Sequence, residues 1–159
     1  SENDKWRVAI LRYFNPIGAH PTGLIGECST SNKNNLFPKL CDVAHGRINK
    51  LEIYGNDWPT ADGTGIRDYI HVMDIAEGHT GAINKLLNVS SEFININLGT
   101  SKGTSVLELI NSFMEVNKCK IPFELNFTAA GTLKPEASFL ISPVSTSRLT
   151  ISLLNHLGP

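Results

Sequence analysis

"DGTGIRDYIHVMD", residues 62–74, sets two glycines, three aspartates, an arginine and a histidine in thirteen positions. Four readings compete for it: a phosphate-binding loop, a metal site, a pair of hydrolytic acids, or a turn leading into a strand. The two glycines supply turn freedom, and 66–72 ("IRDYIHV") is rich enough in β-branched and aromatic residues to read as a strand. Asp74 followed by Glu77 makes a capping-box-like helix start, after which Ile75, His79, Ala82, Ile83, Leu86 and Leu87 share one helical face. Turn, strand and helix in that order point to an α/β architecture.

The flanking sequence extends the pattern in both directions. "WRVAILRYFN" (6–15) carries the short apolar run of a strand buried on both faces, as in a parallel sheet. "PIGAHPTGLIGE" (16–27) is rich in Gly and Pro and reads as loop. Leu36, Phe37, Leu40 and Ala44 recur at helical spacing between an Asn cap and Gly46. "LEIYG" (51–55) reads as a short strand. "FININL" (93–98) alternates, with Phe93, Asn95 and Asn97 on one face and Ile94, Ile96 and Leu98 on the other. Ser105 with Glu108 opens a helix whose Val106, Leu109, Ile110, Phe113 and Met114 fall at i, i+3, i+4, i+7 and i+8. "KIPFELNF" (120–127) adds a further strand, and 128–159 is a Ser/Thr-rich tail without clear periodicity.

Composition narrows the function classes. The 159 residues carry 14 Lys and Arg against 15 Asp and Glu, so no cationic face announces nucleic acid or anionic lipid. No apolar run approaches the roughly 18 residues of a membrane span. Cys28, Cys41 and Cys119 are odd in number and lack metal-ligand spacing, which fits free thiols in a reducing cytosol. The first residue is Ser, which reads as processing or as a piece of something longer.

The chemistry motifs sort as follows. "GTSKGTS" (99–105) sits where a phosphate loop would, but its glycine spacing is wrong and no Lys follows the second. The dinucleotide fingerprint G-x-G-x-x-G is absent. His71, Asp74 and His79 have the residue types of a metal site, but strand and helix placement would make them diverge, so a structural His71 is favoured. Asp57, Asp62, Asp68 and Asp74 could supply a glycosidase pair, but turn-forming and capping roles suit three of them better. Arg67 remains: its planar donor fork, projecting just after a double-glycine turn, matches phosphate oxygens, a reading only slightly ahead of a solvated or ion-paired Arg. "NNLFP" (34–38) adds N–H groups at a helix N-terminus, which also favour anions.

Taken together, "LRYFNPIGAH" (11–20), "NNLFP", "LEIYGND" (51–57), "DGTGIRDYIHVMDIAEGH" (62–79) and "INLGTSKGTSVLELI" (96–110) resemble the UDP-glucose 4-epimerases. These belong to the extended short-chain dehydrogenase/reductases. The resemblance covers about residues 7–127, in order, and corresponds to the second half of such an enzyme. It implies the last strands of an NAD-binding Rossmann-type fold together with a small mixed α/β substrate-binding domain over 1–127, with 128–159 divergent. It also implies NAD as cofactor, UDP-glucose and UDP-galactose as ligands, a cytoplasmic location, and homodimers for full-length members. By the same resemblance, Phe14 lies beside the nicotinamide, Asn15 hydrogen-bonds the UDP-sugar, and Asn35 and Leu36 contact the nucleotide sugar. Glu52 and Tyr54 flank the uracil, and Arg67 grips the diphosphate.

Two departures qualify that picture. The family's base is a Tyr with a Lys four residues on, whereas Tyr13, Tyr54 and Tyr69 are followed at that distance by Ile17, Trp58 and Met73. The chain would then be inactive alone. A second diphosphate clamp is expected in an R-R-x-G-D stretch, but "TAAGT" (128–132) keeps only Gly131 and has Thr128, Ala129 and Thr132 in place of charged groups. The alternatives are a non-catalytic or decayed fragment, or another extended reductase such as a glucuronate epimerase or a sugar-nucleotide dehydratase.

Overall fold

The computed structural model describes residues 6–27, 35–90 and 92–126. In chain order the elements are β1 (Arg7–Tyr13), β2 (Asn15–Ile17), α1 (Leu36–Ala44), β3 (Leu51–Tyr54), β4 (Ile66–His71), α2 (Val72–Leu87), β5 (Glu92–Leu98), β6 (Gly103–Ser105), α3 (Val106–Asn117) and β7 (Phe123–Asn126). The described residues fall into two compact units, 6–26 with 68–102 and 27–67 with 103–126.

In the first unit β1 runs parallel to β5 from Arg7↔Glu92 to Tyr13↔Leu98, and β2 runs parallel to β4 from Asn15↔Tyr69 to Ile17↔His71. The helix α2 follows β4 directly and leads on to β5, and it packs against β1, β2 and β5. Ile70, Ile75 and Leu98 form the core, with Leu11 and Ile96 packed against it. Helix and strand meet closely because Gly78 has no side chain: a Cβ there would stand 2.8 and 2.9 Å from the Leu98 methyls. The predicted alternation of β5 is present, with Phe93 and Asn95 exposed and Leu98 buried.

Three sequence expectations are corrected in this unit. β1 is not buried on both faces: Arg7, Ile10, Arg12 and Tyr13 are exposed, since the pairing with β5 covers an edge and not a face, and α2 packs on one side of the strand. Pro16 and Ile17 are not loop but part of β2; the imide of Pro16 is tolerated because a strand this short needs few ladder bonds. Asp74 is not the cap of α2. That helix starts three residues earlier than such a cap would set it, at Val72, and His71 caps it, Nδ1 accepting from the Met73 N–H at 3.2 Å. Asp74 instead lies buried in the first turn, where its charge favours the helix dipole.

The second unit is built on β3 and β7, parallel from Leu51↔Phe123 to Tyr54↔Asn126. Leu40 and Val43 of α1, Leu51 and Ile53 of β3, Ile110 of α3 and Ile121 form its core. Phe37 and Phe113 join the two helices edge to face, with centroids 5.8 Å apart. α1 ends, as predicted, before Gly46 at φ +69°. α3 has the full predicted capping box: the Ser105 Oγ accepts from Glu108 N–H, and the Glu108 carboxylate accepts from Ser105 N–H at 2.7 Å. Val106, Leu109, Ile110, Phe113 and Met114 all turn toward the core.

Candidate nucleotide-sugar site

The turn at 62–65 is built from its own sequence. Asp62 Oδ1 accepts from the Thr64 N–H and Oγ1–H at 2.8 and 2.7 Å, the side-chain-to-backbone turn that Asp favours. Gly63 sits at φ +75°, and a Cβ there would run into the Asn56 carbonyl oxygen, so only glycine fits. Asp62 Oδ2 takes a short hydrogen bond from the Ser105 hydroxyl. Burial raises the Asp62 pKa, but the hydrogen bonds from Ser105 and Thr64 outweigh it and hold the carboxyl below its ordinary value.

Two positions beyond this turn, at the start of β4, Arg67 is half-buried and its Nη1 donates to the Ile66 carbonyl at 2.8 Å. Among the described residues no carboxylate forms an ion pair with it. Its remaining donors keep the fork that matches phosphate oxygens.

Other predicted residues of the second unit lie at element ends. Asn35 is the N-cap residue of α1 by backbone geometry, but its side chain makes no cap bond and its amide donates to Glu27 at 3.0 Å. Leu36 opens the helix, half-buried against the core. Glu52 and Tyr54 leave the same face of β3, and the Tyr54 hydroxyl donates to Glu52 at 2.5 Å. That bond to the carboxylate raises the Tyr54 pKa, and the phenol ring itself is 58% exposed.

Phe14 and Asn15 belong to the first unit. Phe14 sits between β1 and β2 with its N–H bonded to the Leu98 carbonyl at 3.3 Å, and its ring edge lies against Gly99. Asn15 is exposed and pairs with Tyr69 through β2 and β4.

Asp68 was not singled out by sequence reasoning as more than a turn or capping acid, and its role is specific. Its carboxylate accepts from the Thr100 N–H at 3.0 Å, the Thr100 hydroxyl at 2.6 Å and the Ser101 N–H at 2.9 Å. Ser101 is held in the left-handed region, φ +61°. The Lys102 N–H goes to Thr100 Oγ1. The "GTSKGTS" loop therefore spends these three N–H groups on its own protein, which removes the phosphate-loop reading. No signal within ten residues of Asp68 announces partners 32 and 33 positions away.

His71 and His79 make structural contacts. The His71 ring covers Gly18 while capping α2. His79 Nδ1 donates to the Ile75 carbonyl at 2.8 Å, and its ring stacks obliquely on Tyr13 at 5.6 Å. Among the described residues no three metal-ligating side chains cluster, and no helix is long and apolar enough to cross a membrane. A shallow cavity of about 300 Å³ lined by Arg7, Ile83, Leu86 and Leu87 contains none of the predicted site residues. Cys41 and Cys119 are free thiols; burial raises the pKa of Cys41. Cys28 and the "TAAGT" segment, with Thr128, Ala129, Gly131 and Thr132, lie outside the described residues.

Parallel strands joined by helices, with a glycine-rich turn delivering an arginine at a strand start, define an α/β protein of Rossmann type. Residues 1–99 match the NAD dependent epimerase/dehydratase family, and the chain belongs to that family. It is 48% identical over 142 residues to a UDP-glucose 4-epimerase of Neisseria meningitidis, covering 89% of this chain and 41% of the relative. It is 51% identical over 121 residues to that of Bacillus subtilis, covering 76% and 35%. The structure superposes with a TM-score of 0.76 and 43% identity on the Stenotrophomonas maltophila UDP-glucose-4-epimerase with bound NAD and formylated UDP-arabinopyranose, over 80% of this chain and 38% of that one. For the Bifidobacterium longum enzyme in complex with NAD+ and UDP the values are 0.73 and 35%, over 94% and 45%. The chain thus spans about two-fifths of the length of the curated relatives it matches.

Proposed function

We propose that this chain is the substrate-binding portion of a UDP-glucose/UDP-galactose 4-epimerase acting in nucleotide-sugar metabolism in the cytoplasm. Arg67 clamps the diphosphate, Tyr54 stacks on the uracil with Glu52 beside it, and Asn35 and Leu36 contact the nucleotide sugar. Asn15 hydrogen-bonds the sugar. The observation that carries this reading is the state of Arg67: half-buried at the start of β4, on an anchored turn, with no acid pairing it among the described residues. A guanidinium so held is set up for an anion supplied from outside.

Hydride transfer at sugar C4 would be the chemistry that bound NAD supplies. The residues present fit a margin of that cofactor only: the Phe14 ring is 45% exposed and backed by Gly99, a flat apolar surface suited to a ring. The glycine fingerprint and the Tyr/Lys base pair are not among these 159 residues. The chain's own part is to bind and orient the UDP-sugar, leaving proton transfer to groups outside it, so it does not turn over alone. Homodimerisation of the complete protein is part of the same reading and rests on family resemblance.

Isothermal calorimetry tests the site. UDP should bind more tightly than uridine, and Arg67→Ala should weaken UDP by about ten- to a hundredfold, the range of one lost charge-assisted contact. UDP binding untouched by that change would remove the diphosphate role. Epimerisation by the purified chain without another polypeptide would overturn the half-enzyme reading. The loss of charge in "TAAGT", where the family carries R-R-x-G-D, favours a second reading: a protein that binds a nucleotide sugar without reacting. Adding a polypeptide that carries the glycine fingerprint and the Tyr/Lys pair separates the two, since only the first reading regains turnover.

A further inference from the structure

The N-terminus of α3 would ordinarily offer free N–H groups to an anion. Here they are taken. Val106 N–H donates to the Gly65 carbonyl at 3.1 Å, Leu107 N–H to Thr64 Oγ1 at 3.4 Å, and Glu108 N–H to Ser105 Oγ at 3.0 Å. The Ser105 hydroxyl then donates to Asp62 Oδ2. The 62–65 turn is thus fastened to the helix end at three residues: Asp62, Thr64 and Gly65. Thr64 is fully buried and Ser105 nearly so, although both are polar. A buried network in which every member has a partner fixes geometry rather than merely filling space. A fourth bond, from Thr60 Oγ1 to the Thr64 carbonyl at 2.7 Å, closes the turn from the other side.

Arg67 begins two residues further on. A Cβ on Gly65 would lie 3.6 Å from Arg67 Nη1, so the guanidinium runs back alongside the turn toward the Ile66 carbonyl. The direction in which it leaves the backbone is therefore set by the turn, and the turn is set by the Asp62 carboxylate.

We infer that Asp62 is a positioning residue for Arg67: its carboxylate, held by Ser105 and Thr64, locks the turn to the N-terminus of α3 and so aims the guanidinium at a nucleotide diphosphate. The inference rests on the proposed function, because Arg67 has to be the diphosphate contact. Asp62 itself touches no ligand.

The test is a double-mutant cycle on the 159-residue chain, read as the ratio of UDP to uridine affinity by calorimetry. Asp62→Asn should lower that ratio about five- to tenfold by misaiming Arg67, and should lower it no further in the Arg67→Ala background. Ser105→Ala, which removes one of the bonds to Asp62, should move the ratio in the same direction and serves where Asp62→Asn is poorly folded. Ile110→Val, which loosens the core without removing any hydrogen bond of the turn, should lower the melting temperature and leave the ratio unchanged. An equal loss for UDP and uridine, or the same loss with and without Arg67, would show Asp62 to be structural only and overturn the inference. If Arg67→Ala itself leaves UDP binding intact, the proposed function falls, and this inference with it. If Arg67→Ala weakens UDP and neither Asp62→Asn nor Ser105→Ala does, only the positioning role falls.

Discussion

Phe14 and Gly99 occupy each other's space: a Cβ on Gly99 would stand 2.5 Å from Phe14 Cδ2 and 2.6 Å from an Asp68 carboxylate oxygen. The ring therefore lies where it does because position 99 is glycine. Gly99→Ala is expected to push the ring outward and to loosen the Asp68 bonds to Thr100 and Ser101. The cost should be about 1–3 kcal/mol, the usual range for overpacking, measured by urea denaturation. Gly99→Ala folding with unchanged stability and an unmoved Phe14 ring resonance would contradict this.

Gly63 is another position where only glycine fits, for backbone reasons as well as space. At φ +75°, with the Asn56 carbonyl oxygen where a Cβ would go, Gly63→Ala should destabilise by more than about 1 kcal/mol. Gly23, also at positive φ but with open space around it, provides the comparison. Gly23→Ala should cost distinctly less in the same thermal melt.

Acid stability should depend on Asp62. Its folded pKa lies below the ordinary value because hydrogen bonds outweigh desolvation, so the ionised form stabilises the fold. That contribution is complete above the unfolded carboxyl's pKa of about 3.9 and is lost as pH falls below it toward the lower folded value. Unfolding free energies measured between neutral pH and about pH 3 should therefore fall less steeply for Asp62→Asn than for the parent chain. Parallel curves would refute the assignment.

β1 and β5 leave apolar side chains in water. Phe93 is 66% exposed and Ile10 40%, on two strands that pair only with each other among the described residues. Unpaired strand edges bearing such residues promote association. Light scattering should show concentration-dependent self-association of the chain, reduced by Phe93→Glu, whose side chain lies on the exposed face of β5. Equal association by the parent and the variant would place the sticky surface elsewhere.

What the sequence determined alone was whatever depends on residues three or four apart. The capping box of Ser105 and Glu108, the apolar stripe of α3, the end of α1 at Gly46 and the alternation of β5 are each complete within a few positions, so local spacing carries them. The family resemblance was also legible, because its motifs are short and ordered. The tertiary structure decided what depends on contacts across the chain. Thr100 and Ser101 come from more than thirty residues away to occupy Asp68, and Ser105 reaches Asp62 across 43 positions. His71 displaced Asp74 as the cap of α2 because β4 hands the chain to the helix three residues earlier than the Asp–Glu spacing suggested. Pro16 and Ile17 became a strand only because Ile70 and His71 lay beside them. "DGTGIRDYIHVMD" spelled out its turn, strand and helix from local spacing. Which of its acids holds the turn was settled by a hydroxyl brought in from another helix, because a hydrogen bond needs proximity in space and the sequence records only proximity along the chain.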